Sequence, residues 1–257
     1  MPISAFLITL NEEERIASAL DLLKWTDEQI VVDGGSADRT CAIATDKGAK
    51  VYRRPFDNFE NQKNYALSLA RHEWVLSVDA DESVPPALGQ EIQNTIASPG
   101  ALDGYYLKRV NYFLGTPLRF GGQNNERVLR LFRKSRGTFH GIVHEEVSIS
   151  GPVGNLKNVL IHKSTATLSD YYRKLHAYTD LESNRMVAEG RIPSVLKTVF
   201  FPPGKWLVNY IFRGGFLDGR SGFFYHGLSC YYGWLKNFKA RAINQKNREV
   251  SLGAHRH

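Results

Sequence analysis

The stretch Trp74–Glu82 has the sequence WVLSVDADE, a mostly apolar run that leads directly into three acidic residues. A short run of this kind is typical of a buried β-strand, so Asp79 and Asp81 are expected just past its carboxyl end. Ligands of open α/β sheets bind at that edge. Two carboxylates one residue apart can hold a divalent cation and a sugar or ribose hydroxyl. The alternative is an acidic turn that caps the next helix.

Strand and helix signals alternate through the first hundred residues, which predicts crossover units and a largely parallel sheet. The predicted strands are Ile3–Leu10, Gln29–Asp33, Lys50–Arg53 and Trp74–Val78. The predicted helices are Glu12–Lys24 with Asn11 as its cap, a helix capped by Asp38 that runs to about Lys47, Phe59–Arg71, and a helix after Pro85-Pro86 that runs to about Ala97. Later strand candidates are Gly104–Phe113, Arg127–Arg133, Val143–Ser148 and Val159–His162, followed by a helix over Ser169–Glu189.

Composition and charge limit the classes of protein that fit. The chain has 257 residues, of which 42% are apolar and 23% charged, as in globular proteins. Its net charge of +7 is divided between an acidic part, residues 1–104 at −8, and a basic part, residues 105–257 at +15. A basic chain suggests a nucleic-acid-binding module, but the acidic part argues against that alternative.

The sequence contains few features that indicate the cellular compartment of the protein. Cys41 and Cys230 lie far apart and form neither a disulfide framework nor a zinc motif, which fits a reducing compartment. The first residues lack the basic region of a signal peptide. No apolar run reaches the roughly 18 residues of a membrane-spanning helix. We therefore expect a cytoplasmic protein.

Two other strand ends should converge on the same edge of the sheet. Thr9-Leu10-Asn11-Glu12 follows the first strand and Asp33-Gly34-Gly35-Ser36 follows the second. Asp33 could accept a hydrogen bond from a nucleobase, and glycine lets a ligand approach the backbone closely. Lys63, on the helix before the fourth strand, could neutralise a phosphate. The simpler interpretations are a loop or cap residue for Asp33 and a solvated helix face for Lys63.

These motifs together resemble the family 2 glycosyltransferases. In the family's order they are TLNEE from Thr9, VVDGGSADRT from Val31, FENQKNYAL from Phe59, WVLSVDADE from Trp74, RLFRK from Arg130 and GIVHEEV from Gly141. The chain is similar to the branch that contains the lipopolysaccharide core glucosyltransferases, which also carries a GFLDG stretch like the one from Gly215. The resemblance implies an inverting enzyme with the nucleotide-diphospho-sugar transferase (GT-A) fold, a Rossmann-like sheet with helices on both faces.

The resemblance also implies roles for individual residues. Thr9, Leu10 and Glu12 would line the nucleotide pocket, Asp33 would contact the base, Lys63 would approach the diphosphate, Asp79 would hold the ribose or donor sugar, and Asp81 would bind Mn²⁺ or Mg²⁺. The donor implied is a nucleotide-diphospho-sugar, with UDP as the expected nucleotide. A sugar nucleotidyltransferase is a second enzyme class with this sheet, but TLNEE stands where that class carries a Gly-rich basic loop.

An inverting transfer also needs a carboxylate that takes the proton of the acceptor hydroxyl. Glu145 and Glu146 are the candidates, and on a strand they point to opposite faces, so only one can serve. We predict Glu145, which matches the family's His-Glu pair, as the catalytic base. His144 is a candidate metal ligand, with a structural or surface role as the alternative. The basic run from Arg127 to Arg136 either faces an anionic acceptor or is a solvated edge.

The C-terminal part carries a separate signal. Residues 193–248 contain 9 Lys and Arg, a single acid (Asp218) and 13 of the chain's 30 aromatic residues. Apolar rings flanked by cations are typical of a helix that binds an anionic membrane surface, although a helical cap or an oligomer contact is the alternative. We predict a catalytic domain over residues 1–165, with a nucleotide-sugar-binding half (1–104) and an acceptor half (105–165). Residues 166–257 are predicted to be helical and to meet a lipid-linked acceptor on the inner face of the cytoplasmic membrane, and no nucleic-acid partner is expected.

Overall fold

A computed structural model describes residues 1–123, 126–141, 146–165 and 168–254. The chain divides into two compact units. The first combines Met1–Val110 with Asn125–Ser164, and the second combines Asn111–Asn124 with Thr165–His257.

The first unit is built on a mixed β-sheet. Its strands are β1 (Ile3–Thr9), β2 (Glu28–Asp33), β3 (Lys50–Arg53), β4 (Trp74–Ser77), β5 (Glu82–Ser83), β6 (Gly104–Phe113), β8 (Arg127–Arg133) and β11 (Val153–Thr165), with β7 (Thr116–Pro117) paired to the end of β6. Their order across the sheet is β3-β2-β1-β4-β8-β6-β11-β5. The first four strands are parallel, as predicted, and β8 then pairs antiparallel with both β4 and β6.

Alternating side chains of the central strands supply two separate hydrophobic cores, one on each face of the sheet. In β1, Ala5 and Leu7 enter one core and Phe6 enters the other. The sheet is therefore buried on both sides, which explains why its strands appear in the sequence as continuous apolar runs.

Helices cover both faces. They are α1 (Ile16–Asp21), α2 (Thr40–Asp46), α3 (Phe59–Leu69) and α4 (Pro86–Ala97). Buried residues of α1, α2 and α4 belong to the core of Leu7, and those of α3 belong to the core of Phe6.

The predicted cap of the first helix is wrong. Asn11 has a φ of +55° and lies outside α1, which begins only at Ile16. Its side-chain carbonyl accepts the N–H of Ala37 at 2.9 Å, while its own N–H donates to Ser36 Oγ at 2.8 Å. Asn11 thus joins the loop after β1 to the loop after β2, and the left-handed backbone that this needs is one that asparagine tolerates.

A second, two-stranded sheet pairs β9 (Gly137–His140) with β10 (Glu146–Ile149). The strand predicted over Val143–Ser148 therefore appears, within the described residues, from Glu146 onward. The strand predicted at Val159–His162 is the middle of the much longer β11.

The second unit is mainly helical, apart from the paired end of β6 and β7. It contains α5 (Leu168–Ala188), α6 (Val195–Leu207), a π-helical turn (Val208–Phe212), a 3₁₀ turn (Gly215–Asp218) and the long α7 (Gly219–Ala254). Ion pairs from Lys236 to Glu182 and from Lys239 to Asp180 join α7 to α5. None of the helices in the described part of the chain is long and apolar enough to cross a membrane.

Candidate active site

Parallel pairing places the ends of β1 and β2 side by side. Thr9 and Asp33, the last residues of these strands, are partners in the register, and the Thr9 hydroxyl donates to Asp33 Oδ2 at 3.2 Å. Gly34 donates its N–H to the Thr9 carbonyl at 2.8 Å. The two predicted nucleotide-contacting segments are therefore joined directly.

Asp33 organises the loop that follows β2. It is fully buried, and its Oδ1 accepts the N–H groups of Gly35 (3.0 Å) and Ser36 (2.9 Å). Ser36 also donates its hydroxyl to Oδ2 at 2.5 Å. Burial alone would raise the pKa of Asp33, but these hydrogen bonds favour the carboxylate and hold the pKa below its usual value. The described loop is therefore shaped around an ionised Asp33.

The other residues of the predicted nucleotide pocket differ in exposure. Leu10 is about half exposed at the end of β1. Glu12 donates its backbone N–H to Thr40 Oγ1 at 2.8 Å, and its carboxylate binds Arg15 at 3.1 Å. Both residues lie in the loop after β1, where a ligand at the carboxyl edge would meet them.

Asp79 lies just past β4 between two cations. Lys63 Nζ is 2.9 Å from Oδ1, and Arg130 binds Oδ2. Burial would raise the pKa of Asp79, but the charges of Arg130 and Lys63 together hold it well below its ordinary value. Lys63 itself is 2% exposed and lies over the ring of Phe139 at 5.8 Å. Asp79 is therefore a permanently charged carboxylate at neutral pH.

The network continues through a carboxylate that the sequence analysis missed. Glu82 is completely buried and accepts from Arg130 at 2.7 Å and from Arg109 at 3.3 Å. Asp79 donates its backbone N–H to Glu82 at 3.1 Å. Arg109 also binds Glu126 at 2.5 Å. The sequence signal was present, since Glu82 directly follows the Asp-x-Asp pair, but nothing in the sequence indicates which arginines meet it.

Asp81 lies next to a histidine that the sequence analysis did not single out. His162 Nε2, on β11, is 3.4 Å from Asp81 Oδ2, and Lys163 donates its N–H to the Asp81 carbonyl at 2.8 Å. Among the described residues, no group of three or more His, Cys, Asp or Glu side chains could hold a metal by itself. A magnesium-like ion bound by one or two side chains plus phosphate oxygens needs no such group, so Asp81 with His162 fits a shared metal site.

A cavity of about 470 Å³ adjoins Asp79. It is lined by Asp79, Tyr106, Arg109, Glu126, Arg127, Val128, Leu129, Arg130, Phe139, Glu146 and Val147. Of the two candidate bases, Glu146 lines this cavity, while Glu145 and the candidate ligand His144 lie outside the described residues. Glu145 therefore stays a prediction, and Glu146 becomes its direct competitor.

The basic run before β9 divides into two groups. Arg127 and Arg130 line the cavity. Arg133 lies over the Trp74 ring at 4.6 Å and pairs with Asp103 at 3.3 Å. Lys134 donates to the carbonyls of Ser68 and Ala70 at the end of α3. The second group thus holds the fold together.

Comparison with known proteins identifies the class. The model of glycosyl transferase family 2 matches residues 4–149, more than half of the chain. This protein therefore belongs to glycosyl transferase family 2 and is a glycosyltransferase. With its helix-covered mixed sheet, it has a GT-A-like fold.

Two relatives align over nearly their whole length. The lipopolysaccharide core biosynthesis glycosyltransferase LpsC of Rhizobium meliloti (strain 1021) is 29% identical over 91% of this chain and 90% of its own. An uncharacterized glycosyltransferase, RT0209, of Rickettsia typhi is 29% identical over 96% of this chain and 89% of its own. A crystal structure of glucosyl-3-phosphoglycerate synthase from Mycobacterium tuberculosis with Mn²⁺, UDP and glucosyl-3-phosphoglycerate matches 43% of this chain and 44% of that chain, at 25% identity and a TM-score of 0.37.

Proposed function

We propose that this protein is a metal-dependent inverting hexosyltransferase that uses a UDP-sugar and a lipid-linked or lipopolysaccharide-core acceptor. The observation that carries the proposal is the position of Asp79 and Asp81. Both follow β4, at the same edge as the joined loops of Thr9 and Asp33, and Asp79 is held ionised by Lys63 and Arg130. The similarity to LpsC over 91% of the chain supports the choice of acceptor class.

The donor would lie along this edge. Thr9, Leu10 and Glu12 line the nucleotide side, where Asp33 has already shaped the loop that a base would contact. Asp79 accepts hydrogen bonds from ribose or donor-sugar hydroxyls. Lys63 and Arg130 are already paired with Asp79. A donor diphosphate would therefore compete with the Asp79 carboxylate for the positive charges of these two side chains.

The metal site would use Asp81 with His162, and His144 remains a further candidate. A bound Mn²⁺ or Mg²⁺ supplies charge that neutralises the leaving diphosphate. The contribution of this chain is to hold the Asp81 carboxylate, in the loop between β4 and β5, 3.4 Å from the ring of His162 on β11.

Transfer with inversion is a single displacement at the anomeric carbon. The bond from the acceptor oxygen to that carbon forms as the bond to the diphosphate breaks, and a carboxylate takes the acceptor's proton. Glu145 is the predicted base. Glu146 is the described carboxylate that lines the cavity next to Asp79, so it is the alternative for the same role.

A thermal-shift panel tests the donor class. The protein is melted with UDP-, GDP- and dTDP-sugars, each with Mn²⁺ or with EDTA. A ligand that binds only the folded state raises Tm by mass action, so a UDP-sugar with Mn²⁺ should raise it most. Asp81→Asn should abolish the metal-dependent part, whereas Asp46→Asn, an exposed carboxylate on α2, should not. Equal shifts with EDTA and Mn²⁺ would contradict metal dependence, and a preference for another nucleotide would contradict the UDP assignment.

A further inference from the structure

One side of the helical unit exposes an unusual density of large apolar side chains. In α6, Leu196 and Phe200 are 70% and 67% exposed, and in the π-helical turn Phe212 is 76% exposed. We call this the aromatic surface; its members are Leu196, Phe200, Phe201, Leu207, Ile211, Phe212, Phe216, Leu217, Phe223 and Phe224. A soluble helix normally turns such residues inward.

The orientation of α6 explains this exposure. Leu196, Phe200, Leu207 and Ile211 follow a spacing of four, seven and four residues, which places them on one side of the helix. The opposite side carries Thr198 and Pro202, which are buried. Pro202 packs against Gly233 of α7, where an added Cβ would lie 3.1 Å from the proline ring. The side of α6 with Thr198 and Pro202 is therefore covered, and the side with Leu196 and Phe200 faces outward.

Ring contacts hold this surface together. Tyr210 stacks on Trp206 at 5.0 Å and contacts Phe216 and Phe223 edge-on at 6.4 and 5.9 Å. Tyr210 thus connects α6, the 3₁₀ turn and the start of α7. Among the exposed residues, Phe216 of the 3₁₀ turn and Phe223 of α7 are therefore held next to each other through Tyr210.

The charges around the surface are almost all positive. Lys197, Lys205, Arg213 and Arg220 are exposed within the same elements. Asp218, the single acid among residues 193–248, accepts the backbone N–H groups of Arg119 and Phe120 at 3.0 to 3.1 Å. Asp218 keeps its charge but is held against the backbone of Arg119 and Phe120, so residues 193–248 present 9 cations against this one anion.

We propose that the aromatic surface docks the protein on an anionic lipid bilayer. Apolar side chains enter the acyl boundary while flanking Lys and Arg meet lipid phosphates, the arrangement of an interfacial helix. A second copy of the chain fits less well, because a self-association would bring these cations against each other. The surface needs neither donor nor acceptor, so its test is independent of the proposed enzymatic activity.

The experiment is co-sedimentation of the full chain with phosphatidylcholine vesicles that contain increasing fractions of phosphatidylglycerol. Binding should rise with the anionic fraction and weaken at high salt without vanishing, since salt screens the charges but not the apolar contacts. Failure to bind at low salt and high phosphatidylglycerol overturns the proposal.

Two pairs of variants locate the surface. Leu196→Ser with Phe200→Ser should weaken binding at least tenfold at high salt, whereas Leu181→Ser, an exposed leucine of α5, should leave it unchanged. Lys205→Glu with Arg220→Glu should weaken binding at low salt by roughly fivefold or more per charge. Lys24→Glu with Lys157→Glu, two exposed lysines of the first unit, is the control with the same change of charge and should have little effect.

Circular dichroism and Tm first establish that each variant is folded. Equal losses in the Lys205/Arg220 variant and in the Lys24/Lys157 variant would mean that net charge, and not this surface, attracts the vesicles. Light scattering measures whether the chain forms a dimer. If it does, if Leu196→Ser with Phe200→Ser breaks that dimer, and if the unaltered protein does not bind vesicles, the surface belongs to a contact with a second copy. Either result overturns the proposal.

Discussion

Lys63 and Asp79 form an almost buried ion pair: Nζ lies 2.9 Å from Oδ1, and the lysine side chain is 2% exposed. The pair joins α3 to the loop that follows β4. Arg130 holds the second oxygen of the same carboxylate. The charge and position of Asp79 are thus fixed by the protein before any ligand binds.

Replacing Lys63 with Met should damage both the fold and the site. Removing one partner of a fully buried pair costs about 3 to 5 kcal/mol. Because Arg130 still holds Asp79 in this variant, the loss should lie below that range. We expect a lower free energy of unfolding by urea and, in protein that stays folded, weaker UDP-sugar binding. Arg130→Lys, which keeps a cation at Asp79, is the milder comparison. Unchanged stability and affinity in Lys63→Met would mean that the pair contributes nothing.

His162 should affect metal binding directly. We expect His162→Gln to weaken Mn²⁺ binding in the presence of UDP by at least tenfold, as for loss of one metal ligand or its supporting partner. Electron paramagnetic resonance of free Mn²⁺ measures this without an activity assay. His72→Gln, which replaces a histidine before β4, is the control. If both variants bind Mn²⁺ like the unaltered protein, His162 is not part of the site.

The catalytic base can be assigned by two isosteric substitutions. Glu145→Gln should lower kcat by about 10² to 10⁴ with little change in donor affinity, because it removes basicity and keeps size. Glu146→Gln should then retain most of the activity. The opposite pattern would transfer the role to Glu146, the carboxylate that lines the cavity beside Asp79.

Stability should depend on Glu28 at acidic pH. Glu28 accepts from Lys50 at 2.6 Å, from the Arg71 N–H at 2.9 Å and from Ser4 at 2.7 Å. Burial opposes ionisation of Glu28, but the hydrogen bonds and the charge of Lys50 have the larger effect and lower its pKa from 4.5 to about 2. The shift corresponds to about 3 kcal/mol of stabilisation, fully present above pH 4.5 and lost as the pH falls toward 2.

Urea unfolding of Glu28→Gln over this pH range provides the measurement. The variant should be less stable than the unaltered protein at pH 7, and the difference should shrink below pH 4.5. Asp21→Asn is the control, since Asp21 is exposed and water screens its pairs with Lys24 and Lys47. A difference that stays constant down to pH 2 would show that packing, and not charge, is responsible.

The sequence predicts the parallel half of the sheet closely, because each strand there is a compact apolar run followed by a turn. Lys50–Arg53 in that half was predicted with the observed bounds, and so were Gly104–Phe113 and Arg127–Arg133 in the antiparallel half. Asn11 was misassigned because its hydrogen bonds to Ser36 and Ala37 join loops 25 residues apart. Local pattern cannot anticipate such a contact.

The same limit applies to the site. Asp79 and Asp81 were found from their place after an apolar strand. Glu82, Arg109 and His162 were missed because their significance lies in antiparallel neighbours that the sequence does not pair. In the helical unit, composition indicated an aromatic and basic region, but only the structure separates the outward side of α6 from the buried side with Thr198 and Pro202.

Isothermal titration of UDP into the protein, in Mn²⁺ and again in EDTA, tests the central claim most directly. The account predicts binding in Mn²⁺ that weakens by more than tenfold in EDTA, and an Asp81→Asn variant that binds equally weakly in both while its Tm without ligand is unchanged. Tight UDP binding that is the same in EDTA and in Asp81→Asn would contradict a metal-dependent nucleotide-sugar site at the end of β4.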